Sequence, residues 1–163
     1  MAIEIERKFL VAGPVPWDAA LEVVAIEQGY LCVEGDRVLR VRRAGQRAWL
    51  TFKAGGMGIA RLEYEYEIPV ADALEMLARL CVHPLVEKVR HRIAHGGHLW
   101  EVDQFLGTNQ GLVVAEIELH AEDEPFDRPD WLGAEVSRLP RYSNAALARR
   151  PFSEWDADER GVE

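Results

Sequence analysis

The chain has 163 residues, of which 48% are hydrophobic, and a formal net charge of −9. That length suits one domain with a real core, and the acidic balance excludes a general nucleic-acid-binding surface, which needs a basic face. No apolar run is long enough to span a membrane, the N-terminal MAIEIERKF holds no hydrophobic signal core, and Cys32 and Cys81 form no ligand pattern, so two reduced, mostly buried thiols in a cytoplasmic protein are expected.

Taken in chain order, a strand is expected over about residues 2–11, stopping at Gly13-Pro14. A short helix follows at Trp17–Val24, with Asp18 in its first turn. The next strand covers about 25–33 and reaches Glu34-Gly35-Asp36, a tight hairpin signal. Strands come next at about 37–43, 47–54 and 60–68, the last entered through the flexible Ala54-Gly55-Gly56-Met57-Gly58. Val70 to Leu80 is the best helix, with Leu74, Leu77, Ala78 and Cys81 at helical spacing and Pro69 at its start. Strands at about 86–94 and 98–105 flank Gly96-Gly97, a two-residue hairpin signal, and another runs over about 112–121. Glu122–Asp130 reads as a loop, and Ser143 caps a short helix from Asn144 to Arg149. Residues 1–152 are taken as one tunnel domain, and 153–163 as a polar tail that frays.

Charged residues recur at every second position inside these strands: Glu4-x-Glu6-x-Lys8, Arg40-x-Arg42, Glu63-x-Glu65-x-Glu67, Lys88-x-Arg90-x-Arg92 and Glu116-x-Glu118. Alternate strand positions share a face, so each row projects from one side of its strand while apolar neighbours project from the other. One reading is a sandwich layer with solvated charges. The other is an α+β fold whose eight-stranded antiparallel β-barrel closes with its charges inward, a polar tunnel with a few flanking helices. Both signs recur on strand after strand, which favours the tunnel.

Burying an unpaired charge costs several kcal/mol even after relaxation, so such a lumen must be wet, paired or ligand-filled. Guanidinium and ammonium groups at Lys8, Arg40, Arg42, Lys53, Lys88 and Arg90 suit phosphate oxygens. Carboxylates at Glu4, Glu6, Glu63, Glu65, Glu101, Asp103, Glu116 and Glu118 suit a hard cation such as Mg²⁺ or Mn²⁺. Together they describe a site for a metal-bound string of phosphates. Tyr30 shares its strand face with Gln28. It is either a packing aromatic or a lumen phenol whose pKa Lys88 lowers, with Lys88 itself a second candidate base. Glu67 and Arg92 extend their rows and read as site residues or as a rim salt bridge. His91, His95 and His98 surround a hairpin with no zinc-site spacing, and Gly55-Gly56-Met57-Gly58 lacks the Lys-Ser/Thr of a P-loop.

Glu4-Ile5-Glu6-Arg7-Lys8 resembles the E-x-E-x-K signature of the CYTH superfamily, the triphosphate tunnel metalloenzymes. Gln28-Gly29-Tyr30-Leu31, Arg40-x-Arg42, Lys53, Glu63-x-Glu65, Lys88-x-Arg90 and Glu116-x-Glu118 follow in the expected order, to about Asn144. The compact layout is similar to small bacterial members. The resemblance implies that Lys8, Arg40, Arg42, Lys53, Lys88 and Arg90 hold the phosphates. It puts Glu4, Glu6, Glu63, Glu65, Glu116 and Glu118 on the metal side, with Asp103 as a further ligand or water holder; Lys88 and Tyr30 are the candidate catalytic groups from their place on the strands. The implied reaction is metal-dependent hydrolysis of a linear triphosphate, inorganic tripolyphosphate first, with Mg²⁺ or Mn²⁺. The alternatives are adenylate cyclase or thiamine triphosphatase activity, or noncatalytic binding of polyphosphate or 5′-triphosphorylated RNA. Apolar residues on a barrel exterior also need covering, so a homodimer is expected.

Overall fold

The five charged rows all lie on strands of one closed sheet in the computed structural model, which describes residues 3–55 and 58–161. The strands are β1 (Ile3–Val11), β2 (Glu22–Glu34), β3 (Arg37–Ala44), β4 (Arg47–Ala54), β5 (Ala60–Ile68), β6 (Val86–His95), β7 (His98–Phe105), β8 (Val113–Leu119) and β9 (Leu132–Glu135). The order is β5-β4-β3-β2-β6-β7-β8-β1-β9, and β1 also pairs with β5. That pairing closes an eight-stranded antiparallel barrel. The seam is short, with Ile3, Glu4 and Ile5 opposite Leu62, Arg61 and Ala60. Beyond it β9 takes over the same edge of β1, with Phe9 opposite Glu135 and Val11 opposite Leu132. Gly133 permits this approach, because a Cβ there would lie 2.9 Å from the Leu10 carbonyl oxygen. No strand was expected at β9, a four-residue element whose pairing exists only once β1 is in place.

The expected helix at Trp17–Val24 is a single 3-10 turn, Trp17–Ala19, and β2 already begins at Glu22. Pairing decides this: Glu22, Val24 and Ile26 stand opposite Arg92, Arg90 and Lys88 of β6, and cross-strand contacts outweigh one turn of weak local helix preference. A bulge after Tyr30 shifts the β2–β3 register. It turns Val33 inward with Val38 and leaves Cys32 outside. Cys32 is therefore exposed, contrary to expectation, while Cys81 is buried. Gly96 and Gly97, at φ 57° and 80°, make the expected tight hairpin. Of the Gly55–Gly58 connection, Gly56 and Met57 lie outside the described residues.

Three apolar clusters surround the barrel wall. Phe9, Trp100, Val102 and Ile117 pack under Trp131 and Leu132. Helix α1 (Val70–Arg79) lays Ala73 and Leu77 over Val41 and Ala48. The third cluster lies at one barrel end, where Tyr30, Val86, Phe105 and Val114 meet Tyr142, Leu147, Ala148 and Trp155 from the C-terminal segment. Helix α2 (Asn144–Arg149) is capped by the Ser143 hydroxyl, as expected. The stretch from Ser153, expected to fray, instead packs. Trp155 is buried against Tyr142 at 5.0 Å, and α3 (Ala157–Arg160) starts with an Asp156–Glu159 capping box. The outer face of β4–β5 is left bare, with Phe52, Tyr64 and Tyr66 exposed. Among the described residues no helix is long and apolar enough to cross a membrane.

Candidate active site

Strand register gathers the lumen charges. Lys8 stands opposite Glu116 and Glu6 opposite Glu118 across β1–β8. Glu116 faces Glu101, which faces Arg92, and Asp103 faces Arg90. Arg40 and Lys53 reach Glu65 and Glu63 through β4 and β5, with Thr51 opposite both Arg40 and Glu65. The fourteen charged positions expected on the lumen face therefore share it: strand register ties thirteen of them to another of the set or to Thr51, Trp49 or Arg61, and Lys88 joins them through its ion pair with Asp103.

Every cation of the set is paired. Lys8 Nζ lies 3.0 Å from Glu116, and Lys88 Nζ 2.7 Å from Asp103. Lys53 Nζ lies 2.9 Å from Glu4 and 2.6 Å from Glu63. Arg42 meets Glu65 at 3.2 Å, and Arg40 meets it at 3.6 Å while donating to Thr51 Oγ1 at 3.3 Å. Arg90 is the most heavily engaged. Its Nε and Nη2 donate to the two Asp103 oxygens at 2.7 and 2.8 Å, Nη2 also to Glu116 at 3.0 Å, and Nη1 to Glu101. Its guanidinium is thus taken up by three carboxylates, which suits it to orient Asp103 and Glu116 more than to grip phosphate. Glu67 and Arg92 form rim salt bridges, to Arg47 and to Glu22 with Glu101.

Electrostatics divide the carboxylates into two kinds. Burial pulls Glu4 up, but Lys53 and Arg61 outweigh it and hold the carboxyl at about 2. Burial likewise opposes ionisation of Glu116 and Asp103, yet Lys8, Arg90 and Lys88 keep Glu116, and Arg90 and Lys88 keep Asp103, below the ordinary range. Glu6 is different: burial, and then Glu116 beside it, push it up to about 7. Glu118 is raised by burial and by Glu4, Glu63 and Glu101. Among the described residues no three His, Cys, Asp or Glu side chains already converge as ligands on one point. The donor set nonetheless fits a hard divalent ion. Glu6 and Glu118 stand opposite each other, and burial together with neighbouring carboxylates opposes the ionisation of both, so a cation beside them would relieve that resistance.

Glu6→Gln is accordingly expected to stabilise the metal-free protein. A carboxyl whose folded pKa is raised costs nothing while protonated at pH 4.5, and its cost is complete above about pH 7. In EDTA at pH 8.5 the variant should gain about 1–3 kcal/mol, and near pH 4.5 almost nothing. Thermal melts at the two pH values test this, and an equal shift at both would refute it.

Lys88 is only 2% exposed, and burial lowers its ammonium to about 8 despite Asp103. Tyr30 behaves opposite to the expectation that Lys88 lowers its pKa. Burial raises the phenol against the opposing pull of Arg40 and Lys8, and its oxygen accepts from Gln28 Nε2 at 3.1 Å. Three polar participants went unread in the sequence. Arg61, whose Nε donates to Glu4 at 3.1 Å, has the parity of Glu63 and was open to discovery by extending that row. Thr51 follows from the parity of Lys53. Asn144 Oδ1 accepts from Lys88 at 3.1 Å across 56 residues, and no strand pattern signals it. His91 faces outward against Trp17, and His98 pairs with Glu124.

The architecture is a tunnel-type β-barrel whose wall presents interleaved cations and carboxylates to its interior. Residues 2–152 match the CYTH domain, and the chain belongs to that family. It is 46% identical to the inorganic triphosphatase of Acetivibrio thermocellus, over 95% of this chain and 99% of that one. It is 42% identical to an inorganic triphosphatase of Nitrosomonas europaea, over 89% and 96% of the two chains. A crystal structure of an inorganic triphosphatase superposes with a TM-score of 0.65 at 38% identity, covering 91% of this chain and 95% of that one.

Proposed function

We propose that this protein hydrolyses a linear triphosphate, inorganic tripolyphosphate foremost, with Mg²⁺ or Mn²⁺. The observation that carries this reading is the barrel interior, where lysine and arginine side chains alternate with carboxylates on one lining face. The near full-length likeness to inorganic triphosphatases supports it.

In this reading Lys8, Arg40, Arg42, Lys53 and Lys88 exchange their carboxylate partners for phosphate oxygens and hold the substrate in line for attack. Glu4, Glu6, Glu63, Glu65, Asp103, Glu116 and Glu118 form the metal side, with Glu116 and Glu118 as direct ligands. When bound, the divalent ion neutralises phosphate charge and makes water a better nucleophile. Arg90 keeps Asp103 and Glu116 in place. Lys88, with its pKa near 8, either takes a proton from the attacking water when neutral or stabilises the leaving diphosphate when charged. Tyr30 stays protonated and offers its O–H to a phosphate oxygen.

Phosphate release should be strong from tripolyphosphate with Mg²⁺ or Mn²⁺, weak from ATP and pyrophosphate, and absent in EDTA. Preference for ATP or thiamine triphosphate would move the activity to an organic substrate. Binding of tripolyphosphate without any release would make the barrel a noncatalytic binder.

A further inference from the structure

We infer that Asn144 is a positioning residue for this reaction, holding the Lys88 ammonium from the C-terminal helix that packs at one barrel end; the inference rests on the triphosphatase reading above. Lys88 Nζ has three N–H donors. Asp103 Oδ2 takes one at 2.7 Å and Asn144 Oδ1 a second at 3.1 Å. Two fixed acceptors, with the Phe105 ring 5.5 Å from the nitrogen, define the orientation of the third N–H, which in this reading is the one a phosphate oxygen meets. With Asp103 alone, the ammonium could swing about a single contact, and precise placement of such a group carries much of its catalytic value.

Asn144 is itself held firmly. It opens α2, whose N-terminus is capped by Ser143 accepting from the Ala146 N–H at 3.1 Å. One turn on, Leu147 and Ala148 are buried in the cluster that closes this barrel end. The same segment reaches a second lumen lysine, since Lys8 Nζ donates to the Tyr142 carbonyl at 3.4 Å. The C-terminal segment therefore touches the site at two lysines that the strands alone leave partly unserved.

The chemical type of the residue matters. Asp103 already supplies Lys88 with one negative charge. A second carboxylate at position 144 would cancel the ammonium and repel an incoming polyanion. An amide oxygen orients the group and leaves its charge for the substrate.

The test is a kinetic double-mutant cycle on tripolyphosphate with saturating metal, using the native chain, Asn144→Ala, Lys88→Met, the double variant and Asn144→Asp. Asn144→Ala should lower kcat about tenfold while KM changes less than about threefold. In the Lys88→Met background the same change should cost almost nothing, because the group it positions is gone. An equal loss in both backgrounds would mean a merely structural role and would overturn the inference, as would an unchanged kcat in Asn144→Ala. Should Asn144→Ala fail to fold, the isosteric Asn144→Asp decides: KM should rise at least about tenfold by charge cancellation, and an unaltered KM would sink the idea. An inactive native chain would instead refute the triphosphatase reading, and this inference with it.

Discussion

Glu116→Gln should lower kcat/KM for tripolyphosphate by about a thousandfold or more, the scale on which a metal's charge stabilisation and nucleophile activation are lost. Glu116 lies where β1, β7 and β8 meet. One of its oxygens rests 3.0 Å from Lys8 and the other 3.0 Å from Arg90. It is 6% exposed, and those two cations together with Lys88 keep it ionised against its burial. It therefore offers a permanent charge at every working pH, which Glu6 does not. Glutamine keeps the shape and removes that charge, and its NH₂ group must also turn a donor towards Lys8 or Arg90. Metal affinity should fall. Tripolyphosphate binding without metal should persist or tighten, since one negative charge has left the lumen. Calorimetry for both ligands, alongside turnover and a thermal melt, separates loss of metal from loss of fold. Metal-dependent turnover within about threefold of native would remove Glu116 from the site.

Arg90→Ala should produce the largest loss of stability, about 3–5 kcal/mol, because it strands buried carboxylates rather than removing a whole pair. Arg90 contacts Asp103 twice and Glu116 and Glu101 once each, and Asp103 is fully buried. Lys88 and Lys8 remain as partners but cannot reproduce the planar fork on Asp103. Arg90→Lys should for that reason recover only part of the loss. The pH dependence follows from sign. Asp103 and Glu116 are held below their ordinary range, so the stability they contribute is present at neutral pH and fades as pH falls through their folded values. The gap between native and variant should thus be widest near pH 7 and narrow on acidification below about pH 4. For a domain of this size the neutral gap corresponds to a Tm lowered by roughly 10 °C, and a drop of less than about 2 °C would refute the clamp role.

Much of this site was legible because a strand repeats every two residues. Glu4, Glu6 and Lys8, or Lys88 and Arg90, declare a shared face without any knowledge of what lies opposite. The α1 helix was legible for the same kind of reason, its apolar positions recurring at helical spacing between Pro69 and Leu80. What failed was whatever depended on a distant partner. Trp17–Val24 carries local helix signals, yet β6 draws Glu22 onward into β2. β9 is four residues that pair only against the finished edge of β1. Cys32 lies outside because one bulge reverses the parity that the preceding residues set.

The amino-acid sequence by itself determined the strand rows, the chemistry of their charges and hence the kind of ligand the lumen suits, because those properties are local and periodic. Tertiary structure alone decided how the charges are shared out. Arg90 is spent on Asp103, Glu101 and Glu116, Glu6 has no salt bridge among the described residues and burial outweighs the pull of Lys8 and Lys53 on it, Tyr30 is raised rather than lowered, and Asn144 reaches Lys88 from another layer. These outcomes depend on distance and burial, and neither exists until the barrel closes and its C-terminal segment seals one end.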